Sequence, residues 1–120
     1  MQEENLTYKI NAAIFEVNRV LGPGFLEKVY ETALLHELRS RGMNADTQVP
    51  LSVDYKGVVV GEYFADILVE NKVILEIKSV EKLARIHEAQ ILNYLKATGN
   101  RTGLLINFTY PKAEIKRFVL

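Results

Sequence analysis

The chain has 120 residues, 48% hydrophobic and 25% charged, enough for one hydrophobic core and too few for two, so a single domain over residues 1–120 is expected. Fifteen Lys and Arg balance fifteen Asp and Glu, so no whole-molecule basic field drives nucleic-acid binding, and any such contact must use a local patch. The lack of cysteine excludes disulfides, thiolate zinc sites and cysteine nucleophiles. No apolar run approaches the roughly 18 residues of a membrane span, and MQEENLTYK has no basic stretch leading into an apolar one, so a cytoplasmic protein without membrane contact is expected.

From Glu4 to Leu21, Leu6, Ile10, Ala13, Ile14, Val17 and Leu21 recur at spacings of three and four, which predicts an amphipathic helix. Gly22, Pro23 and Gly24 stop it. A second helix runs from about Leu26 to Arg41 with Tyr30, Leu34 and Leu38 on one face and Gly42 as its C-terminal cap. The period then falls to two. Val49, Leu51, Val53 and Tyr55 alternate with polar residues as in a half-buried strand, and Asp54 to Gly57 signals a turn. Val58 to Val69 is the next strand, with a bend or bulge expected at Gly61. Val73 to Val80 reads as a central strand. Glu81 to about Thr98 is helical, Thr102 to Phe108 is a fourth strand, and Ile115 to Val119 a short fifth at the edge. The order is ααβββαββ, an α/β arrangement with a mixed sheet between helices.

Three charges interrupt the apolar strands. With a turn centred on Asn71 and Val69 pairing Val73, antiparallel register sets Asp66 opposite Glu76, and Lys78 shares the Glu76 face. Like charges directly opposed destabilise a sheet by about 0.2–1 kcal/mol at exposed sites, and by more when buried. A cation between them removes that penalty. On the third helix, His87, Gln90 and Tyr94 fall within the apolar arc of Leu83, Ala84, Ile86, Ile91 and Leu95, and Glu27 shares the core-facing side of the second helix. Buried polar groups need partners, so these side chains are candidates for a shared site.

The chemistry of that set is specific. Two or three carboxylates with a main-chain carbonyl such as that of Ile77 supply oxygen ligands to Mg²⁺ or Mn²⁺ and leave positions for water and a phosphate oxygen. A divalent ion so held activates water for phosphodiester hydrolysis, while the Lys78 ammonium offsets charge in the transition state; a general-base role for Lys78 ranks second.

The spacing Asp66, nine residues, Glu76-Ile77-Lys78 resembles the D-x(n)-E-x-K core of the PD-(D/E)XK nuclease-like superfamily. Gly24-Phe25-Leu26-Glu27-Lys28-Val29-Tyr30 is similar to the signature of the small bacterial GxxExxY proteins, and Gln90 to Tyr94 resembles the QxxxY element of RecB-like members. The resemblance spans about Leu6 to Phe118. It implies a restriction-endonuclease-like fold, with Asp66 and Glu76 as metal carboxylates and Lys78 as the catalytic lysine. Glu27 then contacts the metal directly or through water, and Gln90 and Tyr94 support the site. The superfamily proline falls at Ala65 in this chain. A nucleic-acid substrate, DNA first, follows, and so small a domain leaves room for a homodimer or protein partner.

Plainer readings stand beside these. Asp66, Glu76 and Lys78 can be a salt-bridged, solvated face. Glu27 can serve the helix dipole at N3 behind a Gly24 N-cap. Gln90 and Tyr94 can bond core backbone, Tyr30 can be a core aromatic with its hydroxyl at the surface, and His87 can be a satisfied structural histidine. The run from Lys112 reads as a charged edge. Three functions are therefore carried: a metal-dependent nuclease, a non-catalytic nucleic-acid or protein-binding module, and a regulatory interaction protein.

Overall fold

A computed structural model describes residues 2–120, and its elements are α1 (Gln2–Leu21), α2 (Glu27–Ser40), β1 (Ala45–Tyr55), β2 (Val58–Val69), β3 (Val73–Lys78), α3 (Arg85–Thr98), β4 (Thr102–Asn107) and β5 (Glu114–Val119). The five strands form one sheet in the order β1-β2-β3-β4-β5. β3 and β4 are parallel and every other pair is antiparallel, so α3 is the crossover that a parallel pair requires. The sheet is mixed and flanked by helices, as expected.

Hydrophobic periodicity becomes two packed layers. The α1 stripe of Ile10, Ala13, Ile14 and Val17 joins Tyr30, Leu34 and Leu38 of α2 over Val73, Leu75, Ile77, Leu104 and Ile106 on one face of the sheet. Leu95 of α3 packs with Ile74, Leu51 and Ala65 on the other. The close seat of α3 depends on Gly103, where an added Cβ would meet Ile91 Cδ1 at 2.9 Å.

The β1–β2 and β2–β3 hairpins turn tightly. The ends Tyr55 and Val58 pair across Lys56 and Gly57, which have φ of 51° and 84°. In the second, Lys72 N–H donates to Val69 O at 2.9 Å across Glu70 and Asn71, with φ of 52° and 59°. Positive φ at both central residues matches the right-handed twist of the flanking strands. The bulge expected at Gly61 is present: Val53 pairs Gly61 while Asp54 pairs Val59.

Several boundaries differ from the sequence reading. β1 begins at Ala45, four residues before Val49, because Ala45 to Thr47 pair with Val69 to Ile67 although their hydropathy is weak. β3 ends at Lys78. Val80 is instead held by the buried Asn107 amide, which accepts from Val80 N–H at 3.0 Å and donates to Val80 O at 2.9 Å. α3 starts at Arg85 and not Glu81, since the main chain at Ala84 is extended. The N-cap of α2 is Leu26, so Glu27 occupies the first helical position and not N3.

Candidate active site

The ladder between β2 and β3 is short. It pairs Val69 with Val73, Leu68 with Ile74 and Ile67 with Leu75, then stops one step before Asp66 and Glu76 would be opposed. The strands fork there, and the Asp66 carboxylate fills the gap by accepting the Ile77 N–H at 2.7 Å through Oδ2. In a strand, N–H and C=O of one residue leave on the same side, so the Ile77 carbonyl also faces the fork. Glu76 and Lys78 continue the parity of Ile74, which packs towards α3.

Electrostatics at the fork is dominated by burial. Glu76 is only 7% exposed, and its Oε1 has no hydrogen-bond partner among the described residues. Burial, then the adjacent Asp66 charge, pushes the Glu76 carboxyl up to about 9, against a small opposing effect of Lys78. Asp66 is also raised, by burial first, with the Ile77 N–H and the Glu76 hydrogen bond pulling the other way. Burial and the neighbouring Asp66 charge therefore favour the protonated form of Glu76 near neutrality. Between the ordinary glutamate value of 4.5 and about 9, folded Glu76 binds more protons than unfolded Glu76. Stability must then fall as pH rises through that window, by up to about 1.4 kcal/mol per pH unit for one such group. Thermal melts of metal-free protein are expected to drop from about pH 5 to about pH 9, and the Glu76→Gln variant to flatten the slope. Equal slopes in both proteins would show that the carboxyl pair does not carry this charge burden.

A backbone kink aims Asp66. Thr47 pairs Ile67 and Val49 pairs Ala65, but Gln48 and Asp66 between them are unpaired, and Gln48 has φ of 50° inside a strand. Such a conformation costs a non-glycine residue about 1–3 kcal/mol. The pleat changes face at this point: Ala45, Ile67 and Val69 pack beneath α1 and α2, whereas Leu51 and Ala65 pack beneath α3. Asp66 thus sits where both layers reach it. From the α2 side comes a residue absent from the sequence-based set, Glu31, which is 5% exposed. It is held by Lys28 at 2.7 Å and by Gln48 Nε2 at 2.9 Å, and its charge acts on Asp66. Glu31 lies four residues from Glu27 and three from Leu34, so helical spacing carried a signal for it; nothing in the sequence marks Gln48 for a left-handed backbone.

Gly24, Glu27 and Tyr30 form one device at the mouth of α2. Gly24 takes φ of 106°, open to glycine at no steric cost. The buried Tyr30 stacks on Phe108 with ring centroids 4.3 Å apart, and its hydroxyl donates to Gly22 O and accepts from Phe25 N–H. The turn so fixed delivers Glu27 to the end of β3, where its Oε2 accepts from Ser79 N–H at 3.4 Å and Ser79 Oγ donates to Phe25 O at 2.9 Å. Tyr30 therefore supports the site from within the core. Tyr30→Phe leaves Gly22 O and Phe25 N–H without their partner and is expected to destabilise by about 1–3 kcal/mol, read as a lower urea midpoint at unchanged m-value.

On α3, His87 Nδ1 accepts from Ala84 N–H at 3.0 Å, and His87 N–H donates to Ala84 O, also at 3.0 Å. This pair closes the first turn and accounts for His87 as a capping histidine. Gln90 is exposed, while Tyr94 is half-buried with its hydroxyl in the field of Glu76 and Asp66, which, after burial, holds the phenol above its ordinary value. Both line a cleft of about 640 Å³ between α3 and the β1–β2 ribbon. Ile86 is 62% exposed and Leu83 and Ala84 precede the helix, so the buried side of α3 is narrower than expected and rests on Ile91 and Leu95.

The structure thus brings together Asp66, Glu76, the Ile77 main chain and the Lys78 charge, with Tyr94 beside them. Glu27 stands at the adjoining end of β3, bonded to Ser79. Among the described residues no three His, Cys, Asp or Glu side chains are gathered closely enough to hold a metal ion. The pair itself fits one: two hard oxygen donors, a buried orphan oxygen and a like-charge penalty that a divalent cation relieves.

The sequence matches the family model of the PD-(D/E)XK nuclease superfamily over residues 4–118, and the chain belongs to that superfamily. Among solved structures it is similar to SSO0001 at 20% identity and a TM-score of 0.60, over 77% of this chain and 48% of that one. The chain therefore spans about half the length of that protein. It is also similar to an alkaline exonuclease from Laribacter hongkongensis, at 12% identity and a TM-score of 0.48, over 91% of this chain and 68% of that one. No curated protein matches the sequence significantly. No helix among the described residues is long and apolar enough to cross a membrane.

Proposed function

We propose that this chain is a Mg²⁺- or Mn²⁺-dependent nuclease that hydrolyses phosphodiester bonds in DNA. One observation carries the reading: Asp66 and Glu76 meet at a fork in the sheet, with a buried Glu76 oxygen lacking a partner and a lysine charge alongside. Asp66, Glu76 and the Ile77 carbonyl would hold the ion, with Glu27 reached directly or through water. The ion, when bound, supplies water activation at neutral pH and neutralises charge on the departing oxygen. Glu76 would hold the ion as the carboxylate, so that ion binding there is coupled to release of its proton to solvent. Lys78 offsets charge developing on the phosphate, Tyr94 helps exclude water from the carboxylates, and the Gln48–Glu31 hydrogen bond holds the kinked stretch of β1 beside Asp66.

The coupling of Gly24, Glu27 and Tyr30 supports placing the chain with the GxxExxY proteins. A cytoplasmic enzyme fits the missing cysteines and a nucleic-acid substrate. A homodimer is supported by the ribbon of β1 and β2: β2 pairs with β3 only over Ile67 to Val69, and Tyr55, Val58, Val59 and Val60 are exposed on its outer part. Such an edge templates pairing with a second copy.

The test is a cleavage assay on labelled DNA with Mg²⁺ or Mn²⁺ and with chelator. Divalent-dependent product is expected. DNA retention without metal-dependent cleavage would favour the non-catalytic binding module instead.

A further inference from the structure

We propose that the cleft between α3 and the β1–β2 ribbon is a nucleobase site, which makes an unpaired strand the preferred substrate. The inference rests on the reading of Asp66 and Glu76 as the phosphate-facing centre, and names what lies next to it.

The cleft has the size and lining of a small-molecule site, about 640 Å³. Tyr63 from β2 and Tyr94 from α3 meet in it with ring centroids 5.7 Å apart and planes 48° apart, so neither ring covers the other. Tyr63 remains 52% exposed and Ile86, across the cleft, 62%. Half-exposed aromatic and aliphatic surface of this kind suits the π-face of a base, and stacking of that sort tolerates any base. The polar groups suit its edge: Gln90 and Asn93 line the same cleft, and each carries an amide with both donors and an acceptor. An edge occupied by side-chain amides is not available for Watson–Crick pairing, so the base entering here must be unpaired. Lys96 lines the cleft as well and is placed to meet backbone phosphate.

Tyr94 joins this cleft to the reactive centre. Its ring contacts Tyr63 and packs against the cluster of Ala65 and Ile74, which stand on β2 and β3 just before Asp66 and Glu76. A nucleotide stacked in the cleft therefore lies on the α3 side of the sheet, the side towards which Glu76 and Lys78 continue the parity of Ile74. The neutral net charge of the chain adds weight, because no whole-molecule basic field draws duplex DNA to it by charge alone.

The experiment is fluorescence anisotropy with three end-labelled oligonucleotides of equal length, in Ca²⁺ in place of Mg²⁺: a deoxythymidine strand, the same strand with central abasic residues, and a hairpin duplex. The deoxythymidine strand is expected to bind at least about tenfold more tightly than the other two, in line with the energy of one stacked base. Tyr63→Ala and Asn93→Ala, both at exposed positions that leave the core intact, are expected to remove that preference, and Tyr63→Phe to retain it. Equal binding of the abasic and base-bearing strands, or a Tyr63→Ala variant that binds like the parent, would overturn the inference. The two readings separate: divalent-dependent cleavage with no single-strand preference sinks the base site alone, while a Tyr63-dependent preference in a chain that never cleaves sustains the base site and sinks the nuclease.

Discussion

Replacing Glu76 with alanine is expected to abolish divalent-cation binding and metal-dependent DNA cleavage together. The residue is 7% exposed at the fork of β2 and β3, and its orphaned Oε1 is the oxygen best placed to gain from a cation. Removing it takes away one of two adjoining carboxylates, and with it the electrostatic reason for an ion to enter. Activity should fall by more than about 10³-fold, the scale at which loss of charge stabilisation in a closed site is felt. Glutamine at the same position controls for folding. It preserves volume, removes the buried like-charge pair, and should leave metal-free protein at least as stable at neutral pH while still failing to bind metal. Calorimetric titration with Mn²⁺ reads the binding and thermal melts read the folding. A Glu76→Gln protein that binds Mn²⁺ as the parent does would remove Glu76 from the ligand set.

The second large effect belongs to Lys78, and its signature is different. Its ammonium acts on both Asp66 and Glu76, so deleting it makes the fork more negative. Lys78→Ala should therefore keep or tighten divalent binding while kcat falls about 10²- to 10³-fold, as when one preorganised positive group is lost from a transition state. Lys78→Arg should recover part of the rate, since it keeps the charge but changes the geometry of its donors. A salt-bridge lysine on a solvated face would give another pattern, with cleavage unchanged and a stability change under about 1 kcal/mol. Single-turnover rates at saturating metal distinguish the two.

Much of the site was legible because strand register is arithmetic. Two left-handed residues at Glu70 and Asn71 fix the turn, the turn fixes Val69 opposite Val73, and everything along both strands follows. What arithmetic did not reveal is that the ladder stops just before Asp66, because a side chain then takes the main-chain bond to Ile77. The α2 residues were half legible. Glu27 stood out for its signature, yet the same helical spacing points to Glu31, which is the more deeply buried of the two. Boundaries failed where tertiary bonds decide them: Asn107 takes Val80 out of the strand that ends at Lys78, and the His87 ring caps α3 at Ala84. The left-handed Gln48 was invisible, because glutamine has no preference for that conformation and only its bond to Glu31 explains its place.

The most direct measurement is a crystal structure soaked in Mn²⁺, with data collected at the manganese absorption edge. An anomalous peak in the fork, bound by Asp66, Glu76 and the Ile77 carbonyl with Glu27 drawn towards it, is the predicted result. A map with no peak between Asp66 and Glu76 at saturating Mn²⁺ would contradict the account.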